Sequence, residues 1–382
     1  MIKSERLKDI NEYYFSSKLK EIAQLRSEGK NILNLGIGSP DLPPHSSVIE
    51  TLHQTALQPN SHGYQSYIGD AALRKAMSDF YFKYYHVELN PHNEILPLIG
   101  SKEGIMHICM TYLNQGDQVL IPNPGYPTYT SAVKLAGGEP RYYDLNDKTH
   151  WKPNFKLIAQ QDLSKVKMMW VNYPHMPSGT NSDVQLFEEI VEFGLKHSIL
   201  ICHDNPYSFI LNDHPLSLLR VQHAKKIVIE LNSLSKSHNM AGWRVGMICS
   251  NATFIHDILC FKSNMDSGMF LGIQRAAQTA LNLDQNWFSE LNKVYKKRQI
   301  IARNILEKIG CEVTENQVGL FLWAKIPSTY SNAYELSDNI LYNHQIFITP
   351  GGIFGSNGET YLRISLCATE ETLLQALKQL TS

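Results

Sequence analysis

Long apolar runs, basic clusters and paired cysteines are all missing from this 382-residue sequence, and each absence closes off a class of function. No stretch approaches the roughly 18 apolar residues that a membrane-spanning helix needs. The N-terminus, "MIKSERLKDINEYYF", has no apolar segment of the kind that directs secretion. The 35 Lys and Arg side chains are balanced by 36 Asp and Glu, for a formal net charge of −1. Electrostatic binding to nucleic acid or to an anionic membrane is therefore not expected. The six cysteines (Cys109, Cys202, Cys249, Cys260, Cys311 and Cys367) contain no CxxC and no paired spacing. That fits reduced thiols in a cytosol rather than a disulfide framework or a zinc site. The expectation is a soluble, cytoplasmic protein with no metal, nucleic-acid or membrane partner.

What is present is a large core: 43% of residues are hydrophobic and 19% charged. The length suits one large α/β domain with a smaller companion. There are no repeats and no low-complexity linker. From about residue 93 the chain alternates between strand-like and helix-like stretches. "EILPLIG", "DQVLIP", "EPRYYDL" and "KVKMMWVN" read as strands, and "SKEGIMHICMTYLN", "TYTSAVKLAGG" and "SDVQLFEEIVEFGLKH" as helices. Nearly continuous apolar strands between helices imply a mainly parallel sheet buried on both faces. Ser182 with Gln185 reads as a capping box for the third of these helices, and Phe187, Ile190, Val191, Phe193 and Leu195 as its apolar side. After about residue 284 a long charged helical stretch leads to "QVGLFLWAKI" and "YLRISLCA". The expected division is a large domain over 46–283 and a smaller α+β domain built from 1–45 and 284–382.

Several motifs stand at the ends of these strands. "GIGSPD" (Gly36 to Asp41) lacks the third glycine of a dinucleotide fingerprint and is followed by Pro43, so it reads as a tight turn and nicotinamide binding is rejected. "IGSKEG" places Ser101 as a plausible N-cap where free backbone N–H groups would favour a phosphate. In "SLSKSHNMAGWRVG", Lys236 lies just beyond a strand, accompanied by the hydroxyls of Ser233 and Ser235, with Arg244 eight positions on. Most lysines are solvated surface charges, but the carboxyl ends of strands are where an α/β sheet places its ligands. "HDNPY" sets Asp204 and Tyr207 at the end of another strand. A lysine to form an imine, a carboxylate, a phenol and a phosphate cradle together are what pyridoxal phosphate requires.

In this order, "GYQSYIG", "GSKEG", "NPGYPTY", "NYPHMPSG", "HDNPY", "SLSKSHNMAGWRVG" and "YLRISL" resemble the motifs of the fold-type I pyridoxal-phosphate aminotransferases of class I/II, over nearly the whole chain. The resemblance implies catalytic roles for Lys236 as imine-forming base, Asp204 as partner of the pyridine nitrogen and Tyr207 as donor to the ring 3-hydroxyl. It also implies a stacking ring at Tyr126, with the phosphate on the backbone of Ser101, Lys102 and Glu103 together with Ser233, Ser235 and Arg244. Glu103 is awkward there, since a carboxylate beside a phosphate is unfavourable unless it points away. Asn172 and Met176 would lie beside the ring. Tyr64 would reach the phosphate of a neighbouring subunit, implying a homodimer with composite sites. Arg363 and the backbone at Gly38 would hold the substrate carboxylate. The reaction implied moves an amino group from an α-amino acid to a 2-oxo acid such as 2-oxoglutarate. A C–S lyase on the same fold stays open as an alternative, as does a cofactor-free or regulatory binding protein.

One position departs from the family pattern. Pro177, Ser178 and Gly179 match it, but Met176 stands where relatives usually carry an asparagine that donates to the ring hydroxyl. A thioether cannot donate. Compensation by His175 or Asn172 is open at this level. Nor does "KSNMDSGMF", the stretch positioned to reach a partner's substrate, offer an arginine for a second carboxylate; it has Lys262, Asn264 and Ser267 instead.

Overall fold

The computed structural model describes residues 4–7, 10 and 14–380. Its centre is a seven-stranded sheet of β1 (Ile95–Leu98), β2 (Gln118–Asn123), β3 (Glu139–Asp144), β4 (Val166–Val171), β5 (Leu200–Asp204), β6 (Val228–Ser233) and β7 (Gly246–Cys249), in the order β1-β7-β6-β5-β4-β2-β3. Only β7 runs against its neighbours, β1 and β6; the other pairs are parallel. Strands β1, β5, β6 and β7 are buried at every residue; β1 and β7 are unbroken apolar runs, whereas β5 and β6 also bury His203, Asp204, Glu230, Asn232 and Ser233. β3 lies at the edge, and Tyr143 is its one buried residue.

Because β1, β2, β4, β5 and β6 share one direction, their carboxyl ends collect along one edge of the sheet. Each hands the chain to one of the motifs above. β1 leads to Gly100-Ser101, β2 to "NPGYPTY", β4 to "NYPHMPSG", β5 to Asp204 and β6 to a single-turn helix, Leu234–Ser237, that carries Lys236. The sheet topology thus brings together residues more than a hundred positions apart.

Two local expectations need correcting. Helix Val184–His197 is capped by Asp183, whose carboxylate accepts from Leu186 N at 2.8 Å. The nearer carboxylate displaces Ser182, and Gln185 turns along the helix to Glu189 instead. On that helix Phe187, Ile190, Val191 and Phe193 are buried as expected, Leu186 joins them, and Leu195, 38% exposed, falls outside the stripe. Ser101 is not an N-cap either. Gly100 holds that position at φ 84°, and Ser101, the first helical residue, donates to Asn232 O at 3.2 Å.

The chain's two ends pack together. Strand Leu33–Asn34 runs parallel to Ile346–Phe347. Beside it, Phe321–Lys325 pairs antiparallel with Tyr361–Ser365, in a register that sets Trp323 opposite Arg363. The long helix Gln285–Lys308 is tied to the turn after Gly38 by a bidentate ion pair, Arg298 to Asp41 at 2.6 and 2.8 Å. Arg298 also donates to Leu366 O at 3.1 Å, so one buried cation fixes the glycine turn against the strand that bears Arg363. Among the described residues, no helix is long and apolar enough to cross a membrane. Five of the six cysteines are buried and all six are free thiols.

Candidate active site

A cavity of about 470 Å³ opens at the carboxyl edge of the sheet. Every residue given a cofactor or substrate role from the sequence lines it except Glu103 and Tyr64. Lys236 Nζ projects from the helix after β6 and donates to Gly38 O at 2.6 Å. Burial, reinforced by the guanidinium groups of Arg363 and Arg244, lowers the lysine's pKa and favours the neutral amine; Cys367 opposes the shift. A side chain at Gly38 would strike the ring of Phe321, so the close approach of backbone to amine requires glycine.

At one end of the cavity is a cradle for an anion. Helix Ser101–Tyr112 begins there, and its first N–H groups have no partner within the helix. Ser233 caps the Lys236 helix, its Oγ accepting from Ser235 N at 3.0 Å and contacting Ser235 Oγ at 2.8 Å. Arg244 adopts φ 59° and donates to Ala241 O at 2.9 Å and Ile99 O at 3.4 Å. Its guanidinium lies so near Gly100 that a Cβ there would collide with it. Glu103 resolves its own difficulty by folding away: Oε1 meets His107 Nε2 at 2.9 Å and Oε2 accepts from Ile99 N. Lys102 also lines the cavity.

At the other end stands Asp204. One carboxylate oxygen, Oδ2, accepts from Tyr129 at 2.9 Å. The other, Oδ1, is buried and has no partner. Burial raises the carboxyl pKa to about 6, against the lowering effect of the Tyr129 hydrogen bond and the His203 ring. An orphaned buried carboxylate oxygen costs free energy unless something donates to it. A protonated pyridine nitrogen is such a donor, so the residues present fit a phosphorylated pyridine ring spanning the cavity. Tyr126 lines the wall between the two ends, and burial holds the Tyr207 hydroxyl well above the ordinary phenol range, so it remains a donor.

Arg363 is buried and clamped. Nη2 donates to Gly36 O at 2.8 Å, and the guanidinium stacks 3.9 Å from the Phe321 ring centre and 4.6 Å from that of Phe354. Met176 supplies a further contact, its Sδ lying 3.4 Å from Nη1. The possible substitutes for the missing asparagine are committed elsewhere. Asn172 donates to Asp204 O at 2.6 Å and accepts from Met176 N at 2.8 Å. The His175 ring is spent on Ser178 Oγ at 2.7 Å and Pro124 O at 3.2 Å. Lys262, in the stretch considered for a second carboxylate, is buried in an ion pair with Asp266 at 2.5 Å.

Sequence reasoning missed Tyr129, Phe321 and Phe354. Tyr129 was detectable in principle, because it follows Tyr126 by three residues at a helix start and so returns to the same side. The two phenylalanines carried no such signal, since their approach to Arg363 depends on strand register and on a distant turn.

Similarity to known proteins agrees with this geometry. Residues 30–380 match the model of the family "Aminotransferase class I and II". An LL-diaminopimelate aminotransferase from Dehalococcoides mccartyi is 40% identical over 381 residues, covering 99% of this chain and 98% of that protein. One from Halothermothrix orenii is 38% identical, covering 100% and 98%. Among solved structures, substrate-bound BacF from Bacillus subtilis superposes with a TM-score of 0.95 at 32% identity, covering 99% of this chain and 97% of that one. The chain therefore belongs to the class I and II aminotransferases, which move amino groups between amino acids and 2-oxo acids with pyridoxal 5'-phosphate.

Proposed function

We propose that Lys236, Asp204 and Arg363 form the working core of this aminotransferase, with an α-amino acid as donor and 2-oxoglutarate as acceptor. The observation that carries this is their convergence on one cavity: an amine of lowered pKa, a buried carboxylate with one open oxygen, and a stacked guanidinium. When bound, pyridoxal phosphate supplies a carbonyl that condenses with amines and a protonated ring that takes up the electron pair left when a Cα–H bond breaks. Ser101, Ser233, Ser235 and Arg244 would hold the phosphate together with the backbone of 101–103. Asp204 would accept from the ring nitrogen and Tyr207 would donate to the ring oxygen. Arg363 binds the substrate carboxylate, which places the Cα–H bond against Lys236 Nζ. The amine would take that proton from the substrate Cα and deliver it to the carbon on the far side of the amino nitrogen.

The names of the relatives make LL-diaminopimelate the first donor to test. Beside the first cavity a second, of about 500 Å³, shares Phe15, Tyr126 and Phe354 with it and offers Tyr14, Lys134 and Tyr334 to a long donor side chain. A donor panel read by the cofactor's absorbance change in half-reactions tests the assignment. Keto acid and ammonia released with no 2-oxo acid acceptor would sink the transfer reading in favour of a lyase. Composite sites in a homodimer form part of the same proposal. Tyr64 is 95% exposed and Tyr67, three residues on, is exposed as well, on a surface that a second copy would cover. Free thiols support a reducing, cytoplasmic setting.

Met176 sets a measurable difference from relatives with asparagine. With no second donor to the ring oxygen, the visible absorbance of the lysine-bound cofactor should titrate at a higher pH. Met176→Asn is expected to lower that midpoint by less than about one pKa unit, the worth of one net hydrogen bond. A spectrophotometric titration checks it, and a midpoint unchanged or raised in the variant refutes the assignment.

A further inference from the structure

The two oxygens of Asp204 have unlike surroundings, and one side chain creates the difference. Tyr129 is fully buried and stands on the first turn of helix Pro127–Leu135. Its ring lies parallel to that of Trp170, with centroids 4.9 Å apart and planes 5° from coincidence. This stacking leaves the hydroxyl one direction, toward Asp204 Oδ2 at 2.9 Å. Burial keeps the phenol protonated, so it donates at every pH the protein tolerates. The other neighbours of Asp204 act elsewhere: Asn172 bonds to its backbone oxygen, and His203, from the opposite face of β5, is turned to Glu230 at 2.8 Å and Tyr173 O at 3.0 Å.

We propose that Tyr129 is a positioning residue for the reaction: its hydroxyl pins the Asp204 carboxylate in ionised form with Oδ1 turned to the cofactor's ring nitrogen. The inference rests on the reading of Asp204 as the ring partner. An ionised carboxylate in a dry site is costly, and a single charge-assisted donor tips the balance toward keeping it charged. Without that donor the proton shared with the ring nitrogen moves toward the carboxylate. The ring then withdraws electrons less strongly, and the rotation of the carboxylate is no longer fixed.

Tyr129→Phe removes the hydroxyl and leaves the stacked ring. Its affinity for pyridoxal phosphate, measured by equilibrium dialysis, is expected to fall about tenfold to a hundredfold, the range for a hydrogen bond to a charged group. The visible absorbance should titrate at higher pH, and kcat should fall while the donor KM stays near wild type. Tyr129→His, which can present a ring N–H, should recover part of each. Tyr143→Phe is the matched control: it removes another buried phenol, one that donates to Trp170 O at 2.8 Å and not to Asp204. It should move none of these readouts. Unchanged affinity and titration in folded Tyr129→Phe overturns the proposal, and so does an equal loss in Tyr143→Phe, which would assign the effect to packing around Trp170. If Tyr129→Phe does not fold, 3,5-difluorotyrosine placed at position 129 decides. As a stronger donor it should lower the titration midpoint, and an unchanged or raised midpoint is a refutation. A wild type that takes up no cofactor would defeat the reading of the whole site, an outcome distinct from a wild type that does and a variant that matches it.

Discussion

Lys236→Ala is expected to cut turnover at least about 10⁴-fold and to abolish the visible absorbance that marks a lysine-bound cofactor. The size follows from two losses at one atom. On the proposed reading Nζ would be the nucleophile that holds the cofactor as well as the base, and proton transfer by a positioned base contributes about 10²–10⁴-fold by itself. The structure supports both roles. The amine is held at 2.6 Å by Gly38 O, and burial with Arg363 and Arg244 lowers its pKa. The sign of the pH dependence follows. A lowered pKa means that the neutral, reactive amine appears at lower pH than in an ordinary lysine. Capture of pyridoxal phosphate by the cofactor-free protein should therefore accelerate as pH rises, with a midpoint below the ordinary lysine value of about 10.4. Borohydride reduction of the wild type should fix the cofactor's mass on the peptide containing Lys236. A label on any other lysine, or visible absorbance retained by the alanine variant, contradicts the assignment.

The place of Lys236 in the cavity is legible because its signal is local: a strand, a serine, a lysine and another serine, then an arginine. The same holds for Asp204 and Tyr207, which sit within four residues at a strand end. Apolar runs likewise announced the buried strands. The exceptions share one physical cause, competition that spacing does not resolve. Ser182 is a good cap in isolation, but Asp183 is one residue nearer the helix and carries a charge. Ser101 yields its cap position to Gly100, because the turn needs a positive φ and must clear Arg244. Glu103 is no exception: the sequence admits it beside an anion only with its side chain turned away, and the carboxylate is drawn back by His107 and Ile99 N. Tyr129 and the rings around Arg363 belong to contacts made across the fold, where the chain offers no nearby partner to reveal them.

Arg363 poses the second large test, and its surroundings set the form of the result. Arg363→Ala removes a bidentate partner of the substrate carboxylate. Two charge-assisted hydrogen bonds at about 1.5–3 kcal/mol each correspond to a loss of roughly 10²–10⁴ in kcat/KM. The carboxylate is bound alike before and during the chemical step, so most of the loss should appear in KM. Cofactor absorbance should survive, since no part of the anion cradle or the Asp204 end depends on this residue. Arg363→Lys should recover little. The guanidinium is a flat cation between the rings of Phe321 and Phe354, and an ammonium on a flexible stem matches neither the stacking nor the two-pronged geometry. Gly36 O and Met176 Sδ, already satisfied by Arg363, would be left to a side chain that cannot reach both in one plane. The diagnostic comparison is between an amino acid and the amine that lacks its carboxylate. Wild type should favour the acid strongly, and Arg363→Ala should collapse that preference while leaving the rate with the amine nearly unchanged. If the preference persists in the variant, another group binds the carboxylate and the role given to Arg363 is wrong.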